Sequence, residues 1–128
     1  PREGVLDVLE YALKNKIKIG FVTSTTLDNI DAVFKTLNNQ IKKNHFDFIG
    51  NNSLIKEAKP APDIYIEALN SLELNSSDCI AIEDTVESAL SAHRAKIKCI
   101  AFPGLFHADD DFSFCLKKLD KLNTSIFN

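Results

Sequence analysis

The chain has 128 residues, 45% hydrophobic and 26% charged, with a formal net charge of −3. That length suits about one domain, able to bury roughly two-thirds of its unfolded surface. A small charge of mixed sign, with no basic stripe, argues against nucleic acid or a membrane surface as partner, and no apolar run approaches the ~20 residues of a membrane span.

The opening Pro1-Arg2-Glu3-Gly4 carries neither an initiator Met nor an apolar leader, so the sequence reads as the interior of a longer chain. Val5, Leu6, Val8, Leu9, Ala12 and Leu13 then recur at helical spacing up to Asn15-Lys16. Ile17 to Val22 alternates as a strand and ends in the hydroxyl cluster Thr23-Ser24-Thr25-Thr26, which can cap the next helix. That helix turns Ile30, Val33, Phe34 and Leu37 inward. Phe46 to Ile49 forms a short strand closed by Gly50-Asn51-Asn52, and Lys59-Pro60-Ala61-Pro62-Asp63 opens a helix bearing Ile64, Ile66, Ala68, Leu69 and Leu72. After the break at Asn75 to Asp78 come a strand from Cys79 to Ile82, a helix from Thr85 to Ala95 and a strand from Ile97 to Phe102. Past Pro103-Gly104 the pattern weakens to an acidic turn at Asp109-Asp110-Asp111 and a short helix near Phe114 to Leu119. Strands alternating with helices describe crossovers on a mostly parallel sheet, hence a three-layer α/β fold.

Chemistry concentrates where those strands end. Ile80-Ala81-Ile82 runs into Glu83-Asp84-Thr85, and two adjacent acids at the end of a buried strand repel and lose hydration unless a cation sits between them. Mg²⁺ suits such a pair because it takes one or two carboxylates, several waters and a substrate phosphate. Thr23 with its hydroxyl neighbours and Lys59 before its prolines add a donor and a fixed cation. Together the three match the positioning and charge neutralisation that phosphoryl transfer needs. Each also has a plain alternative: an N-cap for Thr23 to Thr26, a solvated surface lysine for Lys59, a helix cap for Asp84. His45, His93 and His107 lack partner spacing and read as surface residues. Phe102, Phe106 and Phe112 read as packing for the last strand and tail. Cys79, Cys99 and Cys115 are odd in number without Cys-x-x-Cys spacing, which reads as buried free thiols in a reducing cytoplasm.

The order of these motifs resembles the haloacid dehalogenase-like phosphohydrolases. Ile19-Gly20-Phe21-Val22-Thr23-Ser24-Thr25 is similar to their second motif, Lys59-Pro60-Ala61-Pro62-Asp63-Ile64-Tyr65 to the third, and Ile80 to Thr85 to the fourth. The resemblance is strongest to the CbbY and β-phosphoglucomutase branch, which acts on small phosphorylated sugars, and runs from about Gly4 to Phe112. It implies a Rossmann-like core in which Thr23 bonds the transferred phosphoryl group, Lys59 holds that group and the nucleophile, and Glu83 with Asp84 binds Mg²⁺. Ser24 and Thr25 lie where the family contacts phosphate or substrate. Two departures stand out: Ser88 and Lys96 occupy positions where the family usually has Gly, and a left-handed backbone at Lys96 would carry some strain.

The family's nucleophile is the first Asp of an Asp-x-Asp motif on the first, central strand, followed by a helical cap domain, and both precede the region at Gly4. Asp109-Asp110-Asp111 lies on the wrong side of the fourth motif. The resemblance therefore implies that residues 1–128 are the C-terminal portion of a core domain, lacking the first central strand, the cap and the nucleophile, and inactive alone. Strand edges exposed by that loss would invite association. The alternative from another class is a non-catalytic module that keeps a phosphate and metal pocket.

Overall fold

Period-2 and period-3.6 patterning alternate down the chain, and the computed structural model, which describes residues 2–24, 26–37 and 40–128, turns them into alternating strands and helices. In chain order these are α1 (Val5–Lys14), β1 (Gly20–Val22), α2 (Leu27–Thr36), β2 (Phe48–Gly50), α3 (Asp63–Leu72), β3 (Ile80–Glu83), α4 (Val86–Arg94), β4 (Lys98–Ala101) and β5 (Lys117–Lys118). Every strand pairing among them is parallel.

The pairings fall into two groups. β1 lies beside β2, with Phe21 opposite Ile49, and β3-β4-β5 forms a second sheet with Ile82 opposite Ile100. β1 and β3 do not pair with each other. Each turns an open edge toward a cavity of about 1240 Å³ that lies between them.

β4 shows how the layers form. Cys99 and Ala101 point into a cluster with Ile64 and Tyr65 of α3, Ala81 of β3, and Ala89 and Ala92 of α4. Alternation sends Ile100 and Phe102 to the opposite face, where Val8 of α1, Leu122 and Ile126 cover them. The tail is held there by Tyr11 stacked on Phe127 at 4.9 Å between ring centroids. Gly4 permits the close approach of the two ends. Its φ is 90°, and a Cβ would sit 1.9 Å from the Leu122 carbonyl oxygen.

Several sequence expectations change in place. Ile30 of α2 and Leu37 at its C-cap are buried, but Val33 is 39% exposed and Ile66 of α3 44%. Phe102 and Phe112 are core residues, whereas Phe106, on the single 3-10 turn Leu105–His107 beyond β4, is 98% exposed. In place of the helix expected near Phe114 to Leu119, the chain turns at 113–116 and then runs as β5. The edge of β4 captures its backbone: Leu116 donates to the Cys99 carbonyl and Leu119 to that of Ala101, each at 2.8 Å. Cys99 is buried, while Cys79 and Cys115 are only partly so, and all three are free.

Lys96 has φ 65°, the left-handed conformation that its place after α4 raised as a source of strain. A Cβ in that conformation costs roughly 1 kcal/mol, so Lys96→Gly is expected to stabilise the chain by about that amount. Urea unfolding measures it, and an unchanged or lower midpoint overturns the expectation.

Candidate active site

Three local devices deliver the predicted side chains to one place. The first is at the end of β1, where the Thr23 N–H donates to the Gly50 carbonyl at 3.1 Å and so carries the ladder one residue past the strand. Thr26, not Thr23, caps α2, its hydroxyl accepting from the Asn29 N–H at 3.3 Å. Thr23 therefore stays at the strand end, half-buried, with Ser24 exposed beside it. Thr25 lies outside the described residues.

The second device is the Lys59 loop, whose Lys59-Pro60 peptide bond is cis. α4 clamps it from the side: fully buried Ser91 donates its Oγ–H to the Ala61 carbonyl at 2.7 Å, and Arg94 donates to that of Pro60 at 3.2 Å. Lys59 is thereby turned inward and is only 8% exposed, which removes the surface-lysine alternative.

The third is the β3 to α4 junction. Thr85 is extended (φ −127°) and its Oγ accepts from the Ser88 N–H at 3.2 Å, so Thr85 is the N-cap. The helix-cap reading of Asp84 falls with that bond. Asp84 is exposed at the junction while Glu83 is buried at 9% exposure, because strand alternation sends the last residue of β3 inward.

Inside, Glu83 Oε2 accepts from Lys59 Nζ at 2.9 Å and, more closely still, from the Tyr65 hydroxyl. Burial pushes the Glu83 carboxyl above its usual range, against the pull of Lys59 and of the Tyr65 hydrogen bond. Burial and then the neighbouring Glu83 charge hold Tyr65 well above the ordinary phenol range, so it stays a donor. Sequence reasoning placed Tyr65 inside the Lys-Pro-x-Pro-x-x-Tyr pattern without assigning it a task. Its spacing of six from Lys59, on the first turn of α3, was the available signal. Tyr65→Phe removes one of the two donors to a buried carboxylate and is expected to cost about 1.5–3 kcal/mol in urea unfolding. A change below the error of the measurement would mean that Lys59 alone satisfies Glu83.

Thr23, Ser24, Lys59, Glu83, Asp84 and Thr85 all line the cavity between β1 and β3, together with apolar residues of the two strands and Leu69 and Leu72 of α3. Oε2 of Glu83 is taken by two donors, so a cation here would be met by Oε1 and by Asp84. Two carboxylates suit Mg²⁺, which keeps water and phosphate oxygens in the rest of its shell. Among the described residues no group of three or more His, Cys, Asp or Glu side chains is placed to hold a metal by itself. Asp109, Asp110 and Asp111 are exposed beyond β4 and do not line the cavity.

The structure is a parallel α/β fold with a lysine, a strand-end hydroxyl and an acid pair lining one cavity, and comparison with known proteins identifies its family. The family model of the haloacid dehalogenase-like hydrolases matches residues 1–102, so the chain belongs to that family. Protein CbbY of Cereibacter sphaeroides is 29% identical over 119 residues, covering 93% of this chain and 52% of the relative. The crystal structure of CbbY from Rhodobacter sphaeroides in complex with phosphate superposes with a TM-score of 0.88 at 29% identity, covering 94% of this chain and 53% of that one. The same protein has also been crystallised with xylulose-(1,5)bisphosphate. A β-phosphoglucomutase from Clostridium difficile shares the fold, with a TM-score of 0.74 at 21% identity over 99% of this chain and 52% of that one. The chain spans about half the length of the curated relatives it matches. No helix among the described residues is long and apolar enough to cross a membrane.

Proposed function

We propose that residues 1–128 are the C-terminal portion of the core domain of a cytoplasmic, Mg²⁺-dependent enzyme that hydrolyses or transfers phosphate on small phosphorylated sugars. The observation that carries the reading is the convergence of Thr23, Lys59, Glu83 and Asp84, from three separate segments, on one cavity. Family membership and a relative seen with a sugar bisphosphate support it.

In this reading the Thr23 hydroxyl donates to an oxygen of the transferred phosphoryl group. Ser24 and Thr25 contact the same phosphate or the substrate. Lys59, held by Glu83 and by the clamped loop, presents a fixed positive charge where negative charge develops, so no reorganisation is needed during the reaction. Glu83 and Asp84 would hold Mg²⁺, which when bound supplies further neutralisation of the phosphoryl oxygens. The nucleophile in this reading is an aspartate outside residues 1–128. The rival reading is the non-catalytic module, which keeps the same phosphate and metal pocket without turnover.

Phosphate release from a panel of sugar phosphates by the longer protein, abolished by removing Mg²⁺, is the expected result. Absence of turnover with retained binding of inorganic phosphate would instead establish the non-catalytic module. For the 128-residue chain itself, calorimetry is expected to show weak Mg²⁺ binding, since two carboxylates supply only part of the shell, and weaker binding still in Asp84→Asn. Equal affinity in the two would remove Asp84 from the metal site.

A further inference from the structure

Two of the three cysteines meet at the seam between β4 and the segment leading into β5. Cys99 is 3% exposed in the middle of β4, where its thiol donates to the Ile100 carbonyl at 3.7 Å, and Cys115 is half-buried against the same apolar cluster. The backbone explains the meeting. The Leu116 N–H donates to the Cys99 carbonyl at 2.8 Å, so Cys115 stands one residue before the cross-ladder neighbour of Cys99. That diagonal offset combines ~4.8 Å between strands with ~3.3 Å along one strand, a Cα separation of roughly 5.8 Å, within the ~4.4–6.8 Å that a disulfide spans.

Both residues also line an open cavity of about 790 Å³ whose other polar walls are His93, Arg94, Lys96 and Lys98. A small oxidant reaches Cys115 from that side without opening the fold. Cys79, just before β3, also packs against that cluster, but its thiol donates to the Asn75 carbonyl at 3.5 Å and it lines the cavity between β1 and β3.

We propose that Cys99 and Cys115 form a redox-convertible dithiol, closed to a disulfide by a hydroperoxide and reopened by a thiol reductant. The half-exposed Cys115 sulfur attacks the O–O bond, giving a sulfenic acid and releasing an alcohol, or water when the oxidant is hydrogen peroxide. The Cys99 sulfur then displaces hydroxide from that sulfenic acid, which leaves as a second water. Two thiol protons and two electrons pass from the cysteines to the peroxide, and two reducing thiols restore the pair while becoming a disulfide themselves. Burial pushes the Cys115 thiol up, so the first step is slow beside that of an activated cysteine. The bond closes the loop from β4 through the exposed Leu105–His107 turn and pins β5 to β4. β4 is in turn paired along β3 up to Glu83 opposite Ala101. The modification therefore stiffens the sheet that carries the candidate site from its far edge.

The test treats the folded chain with excess hydrogen peroxide, alkylates the remaining thiols in denaturant and maps peptides by mass spectrometry without reduction. The expected result is a Cys99–Cys115 cross-linked peptide lighter by two hydrogen atoms, with Cys79 alkylated, and full recovery of all three thiols after dithiothreitol. Cys115→Ser should abolish the cross-link, while Cys79→Ser should leave it unchanged. In the Cys79→Ser background the oxidised form should melt higher by on the order of 10 °C, because the cross-link restricts the unfolded chain. Cross-links to Cys79, or Cys115 carried to sulfinic acid with Cys99 still free, would overturn the proposal. So would a link that appears only in denaturant.

Discussion

Lys59→Ala, in a protein carrying the complete core, is expected to lower turnover by at least about 10³-fold, since a preorganised charge at a transferring phosphoryl group acts mainly on the transition state. The structure adds a second consequence. Lys59 is the cation paired with Glu83 at 2.9 Å, and both side chains are almost wholly buried. Removing one partner of such a pair leaves an uncompensated charge and costs about 3–5 kcal/mol. Low activity in Lys59→Ala alone could then reflect unfolding, so the double variant Lys59→Met with Glu83→Gln is the needed companion. It replaces the ion pair by neutral groups of similar size and should recover most of the lost stability while remaining inactive. Recovery of turnover along with stability would reduce Lys59 to a structural ion-pair partner.

The 128-residue chain by itself is expected to hydrolyse no sugar phosphate and to associate. β1 and β3 face a shared cavity with unpaired edges, and the strand residue Ile80 is 41% exposed. Parallel edges with apolar side chains are templates for pairing with another chain unless something covers them. Light scattering across a concentration series should therefore show oligomers, with a broad, concentration-dependent melt. A monomer melting cooperatively at the ~45–65 °C usual for a mesophilic domain would defeat the expectation of an open, marginal sheet. Separately, hydrolysis by this chain that disappears in Asp84→Asn would falsify the placement of the nucleophile outside these residues.

Much of the architecture follows from local pattern. The alternation of strand and helix and the clusters at Thr23, Lys59 and Glu83-Asp84 are legible because each depends on spacing over fewer than about ten residues, while the strained turn at Lys96 was implied by the family resemblance, which usually places Gly there. Which partner a group takes is a different matter. Glu83 binds residues 24 and 18 positions away in the chain, and it was the docking of α3 that made Tyr65 a second donor to the same oxygen. Capping shows the same division. Four consecutive residues from Thr23 to Thr26 offer hydroxyls, and only the path of the chain into α2 assigns the cap to Thr26. The segment from Phe114 to Leu119 has apolar residues that satisfy a helix, yet the open edge of β4 offered its backbone a ladder and won. The gap between β1 and β3 is the one that the family resemblance implied, whereas the solvent exposure of Phe106 and the meeting of Cys99 with Cys115 were settled by tertiary structure. Periodicity specifies which face of an element is apolar, whereas the neighbour that covers that face is chosen by contacts between residues far apart in sequence.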